Sequence, residues 1–382
     1  MLNPAHLNPR LQQVPRYVAG KTPEELEQEL GLSGLIKMAS NENACGPSPL
    51  AVEAAHKALS QAHRYPGGSE RQLRQAIARH TDESLSLHHV LTGNGASEII
   101  RLLAQGFAFD GAELITAQVT FPMYPICVTQ FGGKTIGIPL TADYQFDLSA
   151  MAAAITSKTR LIVICNPNNP TGQVLSKIDI NSFLEKIPPE ILVCFDESYR
   201  EFLDDPTLFD PCKYVIEGKN VIVLRSFSKC AGLANLRIGY AISTPEIISY
   251  LSCGLTPHHM GAVAIAAAIA SLSDDAFRKT SREWVLSERK FVQDGLTEIG
   301  VKHLKTQTNF LLLFDLPWDS MTCYELLLRK GIIIRPMKGW GLERSIRVSL
   351  GTHEQNIKFL QAMKQLLTES SSETRTDFRM AK

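Results

Sequence analysis

The sequence predicts an α/β protein with a large domain, built on a mostly parallel sheet flanked by helices, and a smaller α+β domain. Strand-like and helical segments alternate over a long stretch of the chain, which is typical of a parallel sheet covered on both faces. The chain has 382 residues, more than one ordinary hydrophobic core encloses. Short polar motifs follow several apolar runs, where the strands of such a sheet place ligand-binding loops.

Composition excludes several classes of protein. Hydrophobic residues make up 44% of the chain and charged residues 20%, as in soluble globular proteins. The 39 basic and 39 acidic residues cancel, so there is no net positive charge to attract nucleic acid. The apolar run of residues 260–272 is too short to span a membrane and predicts a buried helix.

The cysteines and the first residues indicate a cellular compartment. Eight cysteines are scattered without paired spacing, and Cys165 and Cys194 lie within apolar runs, as free thiols do in a reducing compartment. Residues 1–6 contain no basic segment followed by an apolar one, so we expect no signal peptide. We therefore expect a cytoplasmic protein.

The N-terminal part is predicted to contain helices around a polar loop. Thr22 suits a helix cap, Pro23 the first helical position and Gly31 the end, so residues 22–30 are predicted to form a helix. Residues 40–49 are rich in turn-forming residues and predict a loop. Two amphipathic helices are expected next, at residues 51–61 and 69–79.

Regular alternation of strands and helices begins near Val90. Apolar runs predict strands at residues 114–118, 134–138, 160–165, 190–195 and 220–224. Helices are predicted in the same stretch at residues 96–106, 124–131, 148–155 and 177–187. Because parallel strands point the same way, the loops that carry function should gather at one edge of the sheet.

The pattern changes after Ser273. Residues 274–299 predict a long, charge-rich helix suited to crossing between domains. Beyond it we expect strands at residues 309–314, 331–335 and 345–349, and helices at residues 322–330 and 354–367. The predicted division is a large domain of residues 40–273, a small domain of residues 1–39 with 274–368, and a flexible tail of residues 369–382.

A lysine and a set of phosphate-binding groups follow the apolar run of residues 221–224. Ser226, Ser228 and Lys229 come directly after this strand, and Arg237 follows within a short distance along the chain. Hydroxyls and a guanidinium together can clamp a phosphate. A lysine at a strand end can form a Schiff base when its surroundings lower its pKa. Taken singly, these residues also fit an ordinary surface turn.

Two further polar loops end strand-like runs. Residues 93–98 contain two glycines and open a helix, whose first N–H groups suit a phosphate or simply mark a glycine-rich cap. A dinucleotide-binding fingerprint requires a third glycine where Glu98 stands. Residues 166–172 contain two prolines and a glycine, and they predict a rigid turn that fixes the Asn169 amide or has no chemical role.

The remaining candidates are polar or aromatic side chains next to apolar runs. Asp196 follows a buried strand and needs a partner, either a protonated ring nitrogen or an arginine. Tyr199 can face the same pocket, and Phe121 can lie on a planar ligand or belong to the core. Arg347, within an apolar strand, is expected to meet a carboxylate of the protein or of a substrate. The paired histidines lack companion ligands, so no metal site is expected.

Together these groups fit pyridoxal 5′-phosphate better than any other common cofactor. Lys229 would bind it covalently, and Asp196 would keep its ring nitrogen protonated. Asn169 and Tyr199 would hydrogen-bond the ring hydroxyl, while Phe121 stacks on the ring. The incomplete glycine pattern argues against an oxidoreductase that uses a nicotinamide cofactor.

The chain resembles the fold-type I aminotransferases. The resemblance rests on Ser-Phe-Ser-Lys229 with Gly-Leu-Ala-Asn-Leu-Arg237, on residues 166–172 and on Asp-Glu-Ser-Tyr199. Within this group the chain is most similar to the histidinol-phosphate aminotransferases, with which it shares runs at residues 17–21, 40–49, 64–66, 93–95 and 346–351. The likeness extends over about residues 14–367.

The resemblance implies a ping-pong transaminase of histidine biosynthesis, with histidinol phosphate as amino donor and 2-oxoglutarate as acceptor. It implies that Tyr65 reaches the cofactor from the neighbouring subunit of a homodimer, and that Asn43 and Arg347 bind substrate. The residues that it implies in binding the cofactor phosphate are Ala96, Ser97, Ser226, Ser228 and Arg237. Lys229, once displaced by substrate, would transfer the proton as a general acid and base.

One departure from the family pattern concerns the substrate. Relatives usually carry Asn-Pro-Tyr-Gly where this chain has Asn43, Ala44, Cys45 and Gly46, so Cys45 replaces a tyrosine of the substrate-binding mouth. The alternatives are a transaminase of aromatic or other amino acids and a threonine-phosphate decarboxylase. A cofactor-binding transcriptional regulator is disfavoured because no basic pair of helices precedes the fold.

Overall fold

The computed structural model describes residues 6–15, 20–31, 33–205 and 209–380, with side chains up to residue 370. Its helices are α1 (Pro9–Gln13), α2 (Pro23–Leu30), α3 (Pro49–Leu59), α4 (Ser69–Thr81), α5 (Ala96–Phe107), α6 (Met123–Gln130), α7 (Leu148–Ala153), α8 (Lys177–Leu184), α9 (Cys212–Ile216), α10 (Pro245–Ser252), α11 (Ala262–Leu272), α12 (Asp275–Glu298), α13 (Ser320–Arg329) and α14 (His353–Met380). Its strands are β1 (Ile36–Lys37), β2 (Val90–Asn94), β3 (Glu113–Ala117), β4 (Lys134–Ile138), β5 (Thr159–Cys165), β6 (Leu192–Asp196), β7 (Val221–Ser226), β8 (Ile238–Ile242), β9 (Phe310–Leu313), β10 (Ile332–Ile333), β11 (Arg335–Pro336) and β12 (Ile346–Ser349).

The central sheet has seven strands in the order β2-β8-β7-β6-β5-β3-β4. All neighbours are parallel except β8, which runs antiparallel to both β2 and β7. The mostly parallel sheet predicted from the sequence is therefore confirmed. Strand β8 was missing from that prediction; it follows β7 after a loop without a long helix, so the chain turns back beside β7.

The middle of this sheet is covered on both faces. Every residue of β3, β6 and β7 is buried, which explains why these strands appear in the sequence as continuous apolar runs. Helix α11 packs against α3 and α4 and buries Ile265, Ala267 and Ala268, as expected for the apolar run of residues 260–272. Among the described helices, none has the length and apolar character that a membrane crossing requires.

The C-terminal part forms two smaller sheets. Strands β11, β12 and β9 form an antiparallel sheet, and β1 pairs with β10 in parallel. The strand predicted at residues 331–335 is two short strands, because β10 pairs with β1 and β11 pairs with β12. The pairing of Ile36 with Ile332 joins the N-terminal segment to this part. The predicted division into two domains agrees with this connection and stays a prediction.

Local sequence signals account for the helix ends. Thr22 accepts a hydrogen bond from the Glu25 N–H, the Glu25 carboxylate accepts one from the Thr22 N–H, and Gly31 ends α2 in the left-handed conformation. At the other end of the chain, α14 continues to Met380, so residues 369–380 have a helical backbone, and the flexibility expected of residues 369–382 stays a prediction. The stretch contains neither proline nor glycine, so no residue interrupts the helix.

Gly232 allows two backbone segments to approach closely behind the loop that carries Lys229. Gly232 has φ +69°, and a Cβ placed on it would lie 2.1 Å from the carbonyl oxygen of Gly46. The adjacent Ser48 N–H donates to the Ala231 carbonyl at 3.3 Å. Only glycine fits this contact, which packs the segment after Lys229 against the loop before α3.

We expect Gly232→Ala to lower the free energy of unfolding by about 2 kcal/mol or more, because it combines backbone strain with a clash. Gly218→Ala is the matched control, since Gly218 has φ +74° with no atom within 4 Å of the added Cβ. The control should lose only about 1 kcal/mol from the backbone term. Urea denaturation measures both; equal losses would contradict the proposed close contact.

Candidate active site

A cavity of about 260 Å³ lies where strands β5, β6 and β7 end and where helix α5 begins. It contains the side chains that the sequence singled out for cofactor binding, apart from Tyr65. The predicted residues that line it are Ala96, Ser97, Phe121, Asn169, Asp196, Tyr199, Ser226, Ser228, Lys229 and Arg237. Parallel strands thus bring motifs far apart in the chain to one edge of the sheet.

A larger groove of about 520 Å³ lies between residues 141–149 and α8. Its carboxylates already serve the fold: Asp147 caps α7, and Asp179 accepts a hydrogen bond from Ser176, the cap of α8. The smaller cavity, by contrast, collects a lysine, an arginine and a buried carboxylate. Chemistry rather than volume identifies it as the candidate active site.

Lys229 lies half-buried at the end of the β7 segment, inside this cavity. Its Nζ donates a hydrogen bond to the carbonyl oxygen of Asn41 at 3.2 Å. Burial lowers the pKa of Lys229 to about 8, helped by Arg347 and opposed in part by Glu42. A larger fraction of this amine is therefore neutral near neutral pH than for an exposed lysine, as a nucleophilic lysine requires.

Asp196 ends β6 and is 3% exposed. Its Oδ2 accepts a hydrogen bond from the Tyr124 hydroxyl at 2.6 Å, and its Oδ1 accepts from the Ser198 hydroxyl at 2.6 Å and the Ser198 N–H at 3.0 Å. Burial raises the pKa of Asp196, while these donors act against that rise. Asp196 lines the cavity, so a cationic partner placed there would oppose the rise in its pKa.

The opposite side of the cavity suits an anion. Helix α5 begins after Gly95 without a side-chain cap, and Ala96 and Ser97 at its start line the cavity. A Cβ on Gly95, which has φ +72°, would lie 2.4 Å from a guanidinium nitrogen of Arg237. Glycine therefore lets Arg237 approach the helix N-terminus, where N–H groups and the helix dipole favour a phosphate.

Asn169 lies between the sheet and Arg347. Its Oδ1 accepts a hydrogen bond from Arg347 Nη1 at 2.6 Å, so the amide nitrogen is the group that Asn169 can present to the cavity. Arg347 Nη2 also donates to the Ala39 carbonyl at 2.8 Å. This arginine, 6% exposed, thereby connects β12 of the small sheet to the cavity wall.

The aromatic walls are held by their neighbours. Phe121 makes a T-shaped contact with Tyr124, with ring centroids 6.0 Å apart. The preceding Thr120 carbonyl accepts a hydrogen bond from the Trp340 indole at 2.9 Å, which joins this loop to the small sheet. Tyr199 lines the same cavity and packs edge-on against Phe310, with ring centroids 5.2 Å apart. A planar ring can fit between such walls.

Four predicted residues do not line the cavity: Tyr65, Asn43, Cys45 and Arg347, the last of which contacts the cavity wall through Asn169. Tyr65 is 80% exposed and stacks on His258 at 4.6 Å. Asn43 braces the loop from within, since its Nδ2 donates to the Cys230 carbonyl and to Ser281. The Cys45 N–H donates to Asn43 Oδ1 at 3.0 Å, and burial raises the pKa of the Cys45 thiol. Their roles toward cofactor and substrate stay predictions.

The sequence interpretation missed several residues of the site. The residues concerned line the cavity and are Ser40, Glu42 and Ser198. They lie within residues 40–49 and the Asp-Glu-Ser-Tyr199 run, which the sequence had already indicated, so they could have been predicted. Asn41 belongs to one of these runs as well, but its contacts were not predictable. Tyr124 gave no signal, because an aromatic residue in an apolar helix normally belongs to the core.

Comparison with known proteins agrees with this geometry. The family model described as aminotransferase class I and II matches residues 33–363 of this chain. A histidinol-phosphate aminotransferase of Moorella thermoacetica is 38% identical over 352 residues, 92% of this chain and 90% of that protein. One from Anaeromyxobacter sp. is 38% identical over 360 residues, 94% of this chain and 98% of that protein.

A solved structure has the same fold. It is the histidinol-phosphate aminotransferase of Sinorhizobium meliloti in complex with pyridoxal-5′-phosphate, with a TM-score of 0.84 and 26% identity. The superposition covers 96% of this chain and 98% of that one. The likeness therefore includes the central sheet and the small sheets that together surround the cavity.

We expect Lys229 to react with a small amine-directed reagent such as acetic anhydride as a base whose pKa is about 8. Only the neutral amine is nucleophilic, so the rate should rise with pH through about 8 and then level off. Mass spectrometry of the labelled protein follows Lys229, with the exposed Lys290 as an internal reference. A titration identical to that of Lys290 would contradict the predicted shift.

Tyr124→Phe removes a donor from the Asp196 carboxylate and should raise the pKa of Asp196 further. A carboxyl whose folded-state pKa is raised loses stabilising free energy as pH rises through that pKa. The variant should therefore be less stable than the parent by about 2 kcal/mol at neutral pH, and this deficit should shrink on acidification. Urea denaturation across a pH series measures it.

Tyr214→Phe is the matched control for this experiment, because the Tyr214 hydroxyl donates to the neutral side chain of Asn181. Its deficit should stay constant over the same acidic range. A Tyr124→Phe deficit that is equally constant would show that the hydroxyl does not act on the Asp196 charge.

Proposed function

The chain belongs to the class I and II aminotransferases, and on this premise we propose that it uses pyridoxal 5′-phosphate to transfer the amino group of histidinol phosphate to 2-oxoglutarate. The named relatives, 38% identical over most of the chain, support this choice of donor. The geometry of two arginines supports it independently and carries the assignment of the phosphate end.

Arg335 and Arg347 are directly opposite each other on the antiparallel strands β11 and β12. Directly opposed residues of such a pair point to the same face of the sheet. The Arg347 guanidinium reaches Asn169 at the cavity, and the Arg335 guanidinium lies 5.4 Å from the Trp340 ring. Two guanidinium groups on one face suit a dianion such as a phosphate monoester, because the positive charge of each attracts it.

The chemistry of the cavity fits the proposed cofactor. The anion side, formed by the start of α5 with Ser226, Ser228 and Arg237, suits its phosphate. Asp196 suits its ring nitrogen, and Phe121 its ring face. Asn169 and Tyr199 present polar groups at the ring hydroxyl. Lys229 is the residue that forms the covalent link.

Bound pyridoxal phosphate supplies an electron sink for the charge that develops when a proton leaves the amine-bearing carbon of the substrate. Lys229 Nζ, with its lowered pKa, would accept that proton as a general base and return it as a general acid. Asp196, held by Tyr124 and Ser198, would keep a proton on the ring nitrogen. Arg335 and Arg347 orient the donor through its phosphate.

We also propose a homodimer that shares its active sites. Exposed apolar side chains of α3, among them Val52 and Leu59, border an apolar groove next to Gly232 and Leu236. Tyr65, largely exposed, lies in the loop after α3 and can reach into a neighbouring subunit. The eight unpaired cysteines support a reducing compartment, and we propose the cytoplasm.

The test is a panel of donors assayed with 2-oxoglutarate: histidinol phosphate, histidinol, phenylalanine and threonine phosphate. We expect kcat/KM for histidinol phosphate to exceed that for histidinol by about 100-fold, and Arg335→Ala to abolish most of this preference. Arg329→Ala, which removes an exposed arginine at the end of α13, is the matched control and should leave the preference intact.

Lys229→Ala should remove transamination of every donor in this panel, because Lys229 is the one lysine among the described residues that line the cavity. A higher kcat/KM for phenylalanine than for histidinol phosphate would show that the amino donor is an aromatic amino acid. Release of carbon dioxide from threonine phosphate without an oxo acid would indicate the decarboxylase instead. Retention of the parental rate by Lys229→Ala would contradict the whole assignment.

A further inference from the structure

Asn41 lies at the centre of the polar contacts behind the cavity. It is 1% exposed and adopts φ +55°, a left-handed conformation that asparagine tolerates better than most residues. Its carbonyl oxygen accepts hydrogen bonds from Lys229 Nζ at 3.2 Å and from Asn309 Nδ2 at 3.1 Å. The left-handed backbone therefore directs this carbonyl to the reactive amine.

The side chain of Asn41 contacts Tyr199 on one side and Ser349 on the other. Ser349 Oγ accepts a hydrogen bond from the Asn41 N–H at 2.7 Å, so its own proton is directed to Asn41 Oδ1 at 2.9 Å. This leaves Nδ2 as the atom that faces Tyr199, whose hydroxyl oxygen accepts from it at 2.9 Å. The orientation of the amide follows from the serine.

The direction of the Tyr199 hydroxyl follows in turn. Because its oxygen accepts from Asn41 Nδ2, its proton cannot point back along that contact. Tyr199 lines the cavity, so the proton is directed into it. Ser349 lies on β12 with Arg347, so the same contacts connect the anion-binding strand to Tyr199 and Lys229.

We infer that Asn41 is a positioning residue, which fixes the Tyr199 hydroxyl as a donor into the cavity and holds the Lys229 amine on its own backbone carbonyl. The inference rests on the proposed function, because the group that receives the Tyr199 proton is the ring hydroxyl oxygen of the cofactor. A donor there stabilises negative charge on that oxygen. That donor would thereby lower the pKa of the nitrogen atom through which Lys229 would be bonded to the cofactor, next to the ring hydroxyl.

Asn41→Gly tests this inference, since glycine keeps the left-handed backbone and the carbonyl but removes the amide. The readouts are the pH midpoint of the visible absorption of the cofactor-loaded protein and the dissociation constant of pyridoxal phosphate. We expect the midpoint to rise by about one pH unit, the equivalent of one lost hydrogen bond. Tyr199→Phe should raise it as well, and Asn41→Gly should add little in that background.

The charged and titratable groups around Lys229 are Arg347, Glu42, Arg237, Asp196 and Tyr199. Asn41→Gly removes none of these groups, so a shift of the midpoint in that variant cannot come from a lost charge. Among these groups, the Tyr199 hydroxyl is the one removed in the Tyr199→Phe background. Ser243→Ala is the control, because Ser243 is fully buried and donates to the Val221 carbonyl away from the cavity. It should lower stability without moving the midpoint.

An unchanged midpoint in Asn41→Gly, or an equal shift with and without the Tyr199 hydroxyl, would overturn the inference. If Asn41→Gly does not fold, Ser349→Ala in both backgrounds decides by the same criterion, because it removes the group that orients the amide. A parent protein that takes up no pyridoxal phosphate would overturn the proposed function together with this inference. A normal parent with an unshifted variant overturns the inference alone.

Discussion

Burial of opposite charges at one edge of the sheet is the constraint on which the site depends. Lys229 and Asp196 follow neighbouring parallel strands, and removing either charge from water is costly unless polar groups replace the water. Tyr124 and Ser198 supply three donors to the carboxylate, whereas the lysine donates to the carbonyl of Asn41. These donors act against the rise that burial causes in the pKa of Asp196, whereas burial lowers the pKa of Lys229 to about 8.

A buried ion pair supports the strand ends from behind. Arg225, on β7, donates from Nε to Glu197, which follows β6, at 2.9 Å, and both side chains are largely buried. Loss of one partner of such a pair typically costs about 3–5 kcal/mol. The pair ties together the ends of the strands that carry Asp196 and Ser226. The spacing of the reactive groups therefore depends on a contact that takes no part in the chemistry.

The antiparallel sheet of β11, β12 and β9, together with the turn between β11 and β12, is joined to the cavity by hydrogen bonds. Arg347 bonds to Asn169, Ser349 to Asn41, and Trp340 to the carbonyl next to Phe121. Groups that would bind the substrate phosphate are thereby joined by hydrogen bonds to groups that would bind the cofactor ring. This coupling gives a physical reason why a change on β12, at Arg347 or Ser349, would also affect the orientation of Asn169 and Tyr199.

The sequence by itself determined most of the helices and strands and the edge of the sheet where the cavity lies, because apolar periodicity, capping residues and turn formers are local signals. It located Lys229, Asp196 and Arg237 correctly at strand ends. It did not indicate β8 as a strand, since a five-residue apolar run is ambiguous. The tertiary structure alone placed Tyr124, Asn41 and Arg335 at the site, because their contacts join residues distant in the chain. Whether an aromatic hydroxyl, an amide or a guanidinium meets a partner depends on packing, which no local pattern encodes.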